Sequence, residues 1–142
     1  MKFKIVIPSY NRVELLKERT LSFLEKHKMN KELIYIFVVR EEYDKYRNAL
    51  HGDYNIIIGK KGISNQRSFI SDYFKEGEAL VSMDDDIKEI LELYISTTAV
   101  GDIKKMKPLY IGRFKDLLFS TFIEMRQQNV RMCGFYPVKN AF

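Results

Sequence analysis

Four short apolar segments, separated by more polar stretches, constrain the fold more than any other feature of this sequence. They are "FKIVIP" (3–8), "LIYIFVV" (33–39), "YNIIIG" (54–59) and "ALVSM" (79–83). Near-continuous apolar runs of this length are typical of strands buried on both faces of a parallel sheet. Because helix-like stretches separate them, the sequence predicts an α/β fold, with a mostly parallel, Rossmann-like sheet and helices on both faces.

The stretches between and after these strands predict helices and loops. Residues 11–14 match an N-capping pattern in which Asn11 caps the next helix, whose apolar face includes Val13 and Leu16. Further helices are predicted over 41–50, 63–75, 87–94 and 112–129, a mobile loop over 96–108 and a closing strand over 130–138.

Composition favours a globular chain without a membrane span. Hydrophobic residues make up 46% of the sequence, which is enough for a core. No apolar run approaches the roughly 20 residues that a membrane helix needs. The single cysteine, Cys133, suits a reducing cytoplasm and is expected in the core because its neighbours are apolar. His27 and His51 lie among polar residues and are expected at the surface.

The net charge is positive. A formal charge of +5 and a pI near 9.2 favour anionic partners such as phosphates, nucleic acid or acidic glycans. The densest basic clusters are Lys60 with Lys61, and Lys104 and Lys105 with Lys107. Each cluster is also typical of a solvated loop.

Three consecutive aspartates, Asp84, Asp85 and Asp86, follow the fourth predicted strand. Two carboxylates ~4 Å apart repel by about 4 kcal/mol at an effective dielectric of ~20. A bound Mg²⁺ or Mn²⁺ would remove this repulsion, since carboxylate oxygens are the ligands that these ions prefer. The alternative is a helix start, where one acidic residue caps free N–H groups.

Ligands of open α/β sheets bind beyond the carboxyl ends of the strands. Four segments are expected at that edge: "PSYNR", "REE", "GKKGISNQR" and "DDD". Together they carry hydroxyls, an aromatic ring, cations and carboxylates, so the sequence predicts a ligand site there. For Arg67 the alternative is an ion pair on the helix surface with Asp72 or Glu76, and for Glu41 or Glu42 a solvated helix start.

The order of "IVIPSYNR", "GISNQRSFI" and "LVSMDDDI" resembles that of GT-A glycosyltransferases of the family 2 type. Those enzymes have a similar strand end, a similar arginine-bearing helix and a D-x-D motif in the same order. "SMDDDI" and "CGFYPVKNAF" are most similar to the phage and large-virus branch, which includes the TET-associated glycosyltransferases. The resemblance covers residues 4–95 well and the remainder loosely.

This resemblance implies a metal-dependent enzyme that transfers sugar from a nucleotide-diphospho-sugar to an acceptor hydroxyl of a glycan, a protein or modified DNA. Asp86, with Asp84, would hold Mn²⁺ or Mg²⁺, and Asp84 would also hold the ribose with Asp85 beside it. The remaining donor-binding residues that it implies are Pro8, Ser9, Tyr10, Arg12, Glu41 and Arg67. On an extended backbone Asp84 and Asp86 share a face and Asp85 does not.

The resemblance also implies one domain over residues 1–142. Residues 1–95 would form its donor and metal half, and 96–142 a lid loop, a helix and the start of an acceptor half. No catalytic base can be assigned, and both histidines precede the aspartates. We therefore expect a minimal member or a fragment truncated at its C-terminus. The alternatives are a sugar-phosphate nucleotidylyltransferase and a non-catalytic module that binds a nucleotide-sugar or nucleic acid.

Overall fold

A four-stranded parallel sheet organises the first half of the chain. The structure, a computed structural model, describes residues 2–135 and divides into two units, Met1–Lys88 and Glu89–Phe142. The sheet belongs to the first unit, has the order β3-β2-β1-β4, and consists of β1 (Phe3–Pro8), β2 (Ile34–Val38), β3 (Asn55–Ile58) and β4 (Ala79–Ser82). All three strand pairs are parallel, with Ile5 opposite both Ile34 and Val81. The predicted α/β fold with a parallel sheet is thus confirmed.

Helical segments connect these strands. They are α1 (Val13–Leu16), a π-helical turn (Lys17–Leu21), α2 (Ser22–Lys26), 3₁₀ turns at Lys31–Leu33 and Arg40–Glu42, α3 (Tyr43–Ala49) and α4 (Ile63–Tyr73). The predicted cap is wrong by one residue: Arg12 occupies the N-cap position of α1, and no side chain caps it. Asn11 instead adopts a left-handed φ of 53°, which asparagine tolerates better than most residues.

Both faces of the sheet are buried. On one face Val6 and Phe37 pack with Ile70 of α4, and the rings of Phe69 and Phe74 lie edge-on to Phe37. Side chains of the opposite face are fully buried as well; they include Ile5, Ile7, Ile34, Ile36 and Val38. Burial on both sides explains why these strands are apolar throughout instead of alternating.

The second unit contains an antiparallel hairpin and a helix. Its elements are β5 (Leu91–Thr98), β6 (Gly101–Pro108) and α5 (Phe114–Gln127). The prediction of α5 is confirmed, whereas the predicted helix over 87–94 and loop over 96–108 are wrong. Leu91, Leu93 and Ile95 alternate with polar or aromatic residues at the two-residue period of a strand, and β-branched residues follow them. This longer pattern overrides the short helical match.

Two smaller predictions concern the end of the chain and the membrane. Residues 130–135 contain no strand, and the rest of the predicted closing strand lies outside the described residues. Cys133 is exposed, so its predicted place in the core is wrong. Within residues 2–135 no helix combines the length and the apolarity that crossing a bilayer requires.

His27, at the end of α2, is also misplaced by the sequence. It is only 3% exposed, and its ring lies 4.5 Å from that of Phe23. His51 is exposed, as predicted. Burial away from water, together with the charge of Lys26, lowers the pKa of His27 below its ordinary value.

A histidine with a lowered pKa in the folded state makes stability depend on pH. The unfolded chain binds the proton more readily, so the contribution of neutral His27 is complete above about pH 6.5 and is lost as the pH falls. We expect the free energy of unfolding, from urea titrations, to drop between pH 7.5 and 5.5 in the wild type. The drop should be smaller in His27→Leu and unchanged in His51→Gln. An equal drop in all three proteins would contradict this assignment.

Candidate functional site

The loops after β1 and β4 meet where the order of the sheet reverses. From β1 the chain proceeds outward to β2 and β3, and then returns to place β4 on the other side of β1. Such a switch point opens a crevice at the carboxyl ends of the two central strands, and open α/β sheets bind ligands there. The segments "SYNR" and "DDD" lie at this position.

Asp85 lies at the centre of the contacts between these loops. Its side chain is 2% exposed, and both of its carboxylate oxygens have partners from the β1 loop. Ser9 Oγ donates a hydrogen bond to Oδ2 at 2.7 Å, and Arg12 Nη2 lies 2.9 Å from Oδ1. A buried carboxylate needs such partners because it has lost its water. Asp85 therefore fixes the two loops to each other.

Asp84 and Asp86 flank this buried group and reach solvent. Their side chains are 59% and 51% exposed, so the expected separation of Asp85 from its two neighbours is present. Arg67 Nη2 pairs with Asp84 Oδ1 at 2.8 Å, and Arg12 Nη1 lies 3.6 Å from Asp86 Oδ2. Arg67 therefore pairs with Asp84 and not with Asp72 or Glu76, the alternative that the sequence left open.

Tyr46 of α3 is a site residue that the sequence analysis missed. It is fully buried, its hydroxyl lies 2.8 Å from Ser9 Oγ, and it accepts a hydrogen bond from the backbone N–H of Arg12 at 3.1 Å. Burial raises the pKa of Tyr46, so its hydroxyl keeps its proton. Its spacing in "EEYDKYRNAL", one helical turn before the buried Leu50, was the signal for an inward-facing position.

Thr20 is a second missed residue, and it binds the backbone of the aspartate loop. Its hydroxyl donates to the carbonyl of Asp84 at 2.7 Å and accepts from the N–H of Ile87 at 2.9 Å. Thr20 is fully buried and lies in the π-helical turn, a rare local geometry that is frequent at functional sites. A lone hydroxyl on an otherwise apolar helix face was the signal in the sequence.

The second predicted loop contributes Glu42 rather than Glu41. Glu42 Oε2 accepts from the backbone N–H of Asn11 at 2.7 Å, and Lys45 Nζ lies 3.3 Å from Asn11 Oδ1. Glu41 is exposed. Of the other predicted donor residues, Pro8 is the buried last residue of β1, and Tyr10 is 54% exposed at the rim of the site.

The glycine-bearing loop after β3 is fixed by Gln66, a buried residue of α4. Gln66 Oε1 accepts from the N–H of Lys60 at 2.6 Å, and a Cβ on Gly59 would lie 2.0 Å from that oxygen. Glycine is therefore required at position 59 while Gln66 holds this place. One turn of α4 carries both Gln66 and Arg67, so the same helix fixes this loop and reaches Asp84.

The carboxylates suit a divalent metal only in part. Among residues 2–135 no group of three or more histidine, cysteine, aspartate or glutamate side chains could hold a metal ion. Two guanidinium groups relieve the repulsion that led us to expect one. Asp84 Oδ2 and Asp86 Oδ1, however, make no hydrogen bond or ion pair within the part of the chain that the structure describes, and both side chains reach solvent. These oxygens fit the ligand preferences of Mg²⁺ and Mn²⁺.

Two cavities among the described residues are not lined by Asp84, Asp85 or Asp86. One of about 210 Å³ is lined by Glu25, Lys28, Met29, Lys31, Ile34 and Tyr54. The second unit has one of about 350 Å³, lined by Ile90, Leu91, Glu92, Leu109, Arg113, Asp116, Leu117, Ser120 and Phe135.

The lysine clusters do not form one stripe on any single element. Lys60 and Lys61 lie in the loop after β3, and the other three lie on β6. Along a strand successive side chains point to opposite faces, so Lys105 and Lys107 share a face and Lys104 does not. Lys107 is paired with Glu92 at 3.0 Å.

Comparison with models of known protein families gave no match, and comparison with curated proteins gave none either. The glycosyltransferase resemblance of the three motifs therefore stays a prediction.

Replacing Thr20 with valine tests whether its hydroxyl holds the aspartate loop. Valine has the same shape but leaves the Asp84 carbonyl and the Ile87 N–H without this partner. We expect a loss of about 1–3 kcal/mol in the free energy of unfolding and faster hydrogen exchange at the Ile87 amide. Thr121→Val is the matched control, because the Thr121 hydroxyl only bonds the Leu117 carbonyl within α5. Unchanged exchange at Ile87 in Thr20→Val would show that the loop does not depend on this contact.

Proposed function

We propose that this chain is a GT-A-type glycosyltransferase domain that binds a nucleotide-diphospho-sugar with Mn²⁺ or Mg²⁺ and transfers the sugar to an acceptor hydroxyl. One observation carries the proposal. The contacts of Asp85 with Ser9 and Arg12 join the two segments that the resemblance assigns to the donor, at the switch point of a parallel sheet. Ligands bind at such a point in many unrelated α/β proteins, so the geometry supports a ligand site independently of the resemblance.

The charges of the site support a role for a metal. The cluster contains three carboxylates, Asp84, Asp85 and Asp86, and two guanidinium groups, Arg12 and Arg67. Its formal charge is therefore −1, and the neighbouring Glu42 and Lys45 cancel each other. A diphosphate that approaches a negative cluster is repelled. A divalent cation on Asp84 and Asp86 would change the sign of the cluster to +1 and make the same surface attractive.

The protein side chains would each have a defined task. Asp86 and Asp84 would hold the metal through the oxygens that make no hydrogen bond or ion pair among the described residues. Arg67, whose pair with Asp84 is exposed, would be able to reach a phosphate, while Arg12 stays paired with Asp85. When bound, the metal neutralises the leaving nucleoside diphosphate. Asp85 is enclosed by Ser9 and Arg12, so it would hold the two loops in place rather than touch the donor. Tyr10, exposed at the rim, offers a ring on which a base can stack.

The acceptor side of the reaction has no assigned residues. Glu92 and Asp116 line the cavity of the second unit with Arg113 and Ser120, but no contact there identifies a catalytic base. A glycan, a protein and modified DNA all stay candidate acceptors.

Calorimetry with nucleoside diphosphates tests the donor and the metal together. We expect one of UDP, GDP, ADP or CDP to bind the wild type with Mn²⁺ and much more weakly without it. Asp86→Asn should reduce the Mn²⁺-dependent affinity by at least about tenfold, because it removes a charged ligand while keeping the shape. Asp72→Asn is the control, since Asp72 is an exposed carboxylate on α4.

Two results would count against the proposal in different ways. If the wild type binds no nucleotide in the presence of Mn²⁺ or Mg²⁺, the proposed function is wrong. If Asp86→Asn keeps the affinity of the wild type, a nucleotide binds but Asp86 is not a metal ligand.

A further inference from the structure

We infer that Tyr46 is a positioning residue of this site, which orients Ser9 and Arg12 without itself touching the ligand. Tyr46 lies on α3, outside both loops that meet at the switch point. It is fully buried, and its hydroxyl contacts Ser9 Oγ and the backbone N–H of Arg12 together. That the ligand is a nucleotide rests on the proposed function; the positioning role does not.

The direction of each hydrogen bond follows from the number of protons available. Ser9 has one hydroxyl proton and donates it to Asp85 Oδ2, because an ionised carboxylate can only accept. Tyr46 must then be the donor in its 2.8 Å contact with Ser9 Oγ. The oxygen of Tyr46 accepts the N–H of Arg12. The bonds therefore run in one direction, from the Arg12 backbone through Tyr46 and Ser9 to Asp85.

These hydrogen bonds fix the conformation of the β1 loop at two points. At the start of the loop, the bond from Tyr46 fixes the rotation of the Ser9 hydroxyl, so that the Ser9 proton points to Asp85. At the end of the loop, Tyr46 holds the backbone of Arg12, the residue whose guanidinium reaches Asp85 and Asp86. Hydrogen bonds in such a chain polarise one another, and each becomes stronger than an isolated bond. Tyr46 is thus the one contact from α3 that orients both loop residues bound to Asp85, within the described part of the chain.

Tyr46→Phe removes the hydroxyl and keeps the ring that fills the core. The first measurement needs no ligand: hydrogen exchange at the Arg12 amide, followed by NMR or mass spectrometry. We expect exchange to be about tenfold faster or more in Tyr46→Phe, because the amide loses its acceptor. Tyr54→Phe is the control, since Tyr54 is half-buried and lies just before β3, at the opposite edge of the sheet. Equal Arg12 exchange in the two variants would overturn the inference.

Ser9→Ala keeps the inference falsifiable if Tyr46→Phe does not fold. This variant removes the acceptor of the Tyr46 proton but leaves Tyr46 and the Arg12 amide in place. Protection of the Arg12 amide should therefore persist in Ser9→Ala. Loss of Arg12 amide protection in Ser9→Ala would show that Tyr46 does not hold the Arg12 backbone by itself.

A double-mutant cycle separates positioning from general stabilisation. We expect Tyr46→Phe to weaken the binding of nucleoside diphosphate with Mn²⁺ by about tenfold in the wild-type background. The loss should be smaller when Ser9 is already alanine, because only the bond to the Arg12 backbone is then left to lose. A purely structural role would give the same loss in both backgrounds, and that result would contradict the inference. If the wild type binds no nucleotide, the proposed function fails, and the exchange experiment alone decides the role of Tyr46.

Discussion

The burial of one negative charge is the constraint on which the site depends. Transferring a carboxylate such as Asp85 out of water costs several kcal/mol, and the structure offsets this cost with a guanidinium and a hydroxyl. Both partners come from the loop after β1, whereas Asp85 follows β4. The pairing is thus possible only because those two strands are neighbours in a parallel register. Removing Arg12 would leave an uncompensated charge inside the protein, whereas removing the Ser9 hydroxyl would leave Asp85 Oδ2 without its hydrogen bond.

This constraint also explains why three adjacent aspartates are tolerated. Asp85 is neutralised from within, and its two neighbours are turned to solvent, where Arg67 and Arg12 approach them. The sequence suggested that a bound metal relieves the repulsion among the three aspartates. The two arginines offer an explanation that requires no metal. The two explanations differ in the role of Arg67: it is either a counter-charge that remains on Asp84, or a group that would bind phosphate with a metal on Asp84 and Asp86.

The sequence allowed the sheet and several residues at its carboxyl edge to be predicted, because both depend on local patterns. Apolar runs buried on two faces identify parallel strands, and the carboxyl ends of such strands meet at one edge. Ser9, Arg12, Arg67 and the aspartates do lie at that edge. Thr20 and Tyr46 could not be connected to it, since their importance lies in long-range partners that no spacing reveals. The hairpin was missed for a different reason: Ile87, Ile90, Leu91 and Tyr94 match a helical period, although the strand begins at Leu91.

The π-helical turn at Lys17–Leu21 constrains the first crossover in a way that the sequence does not show. A π turn arises from one residue beyond the count of an α-helix, and each residue in a helix advances its side chain by about 100° around the axis. The buried residues before the turn, Val13 and Leu16, and those after it, Phe23 and Leu24, are spaced as on one face of a regular α-helix, and the wider turn takes up the extra residue between them. A single deletion within the turn would return it to the α-helical count and leave both buried pairs in phase. What the turn sets is therefore the position of the buried Thr20, and with it the anchor of the aspartate loop.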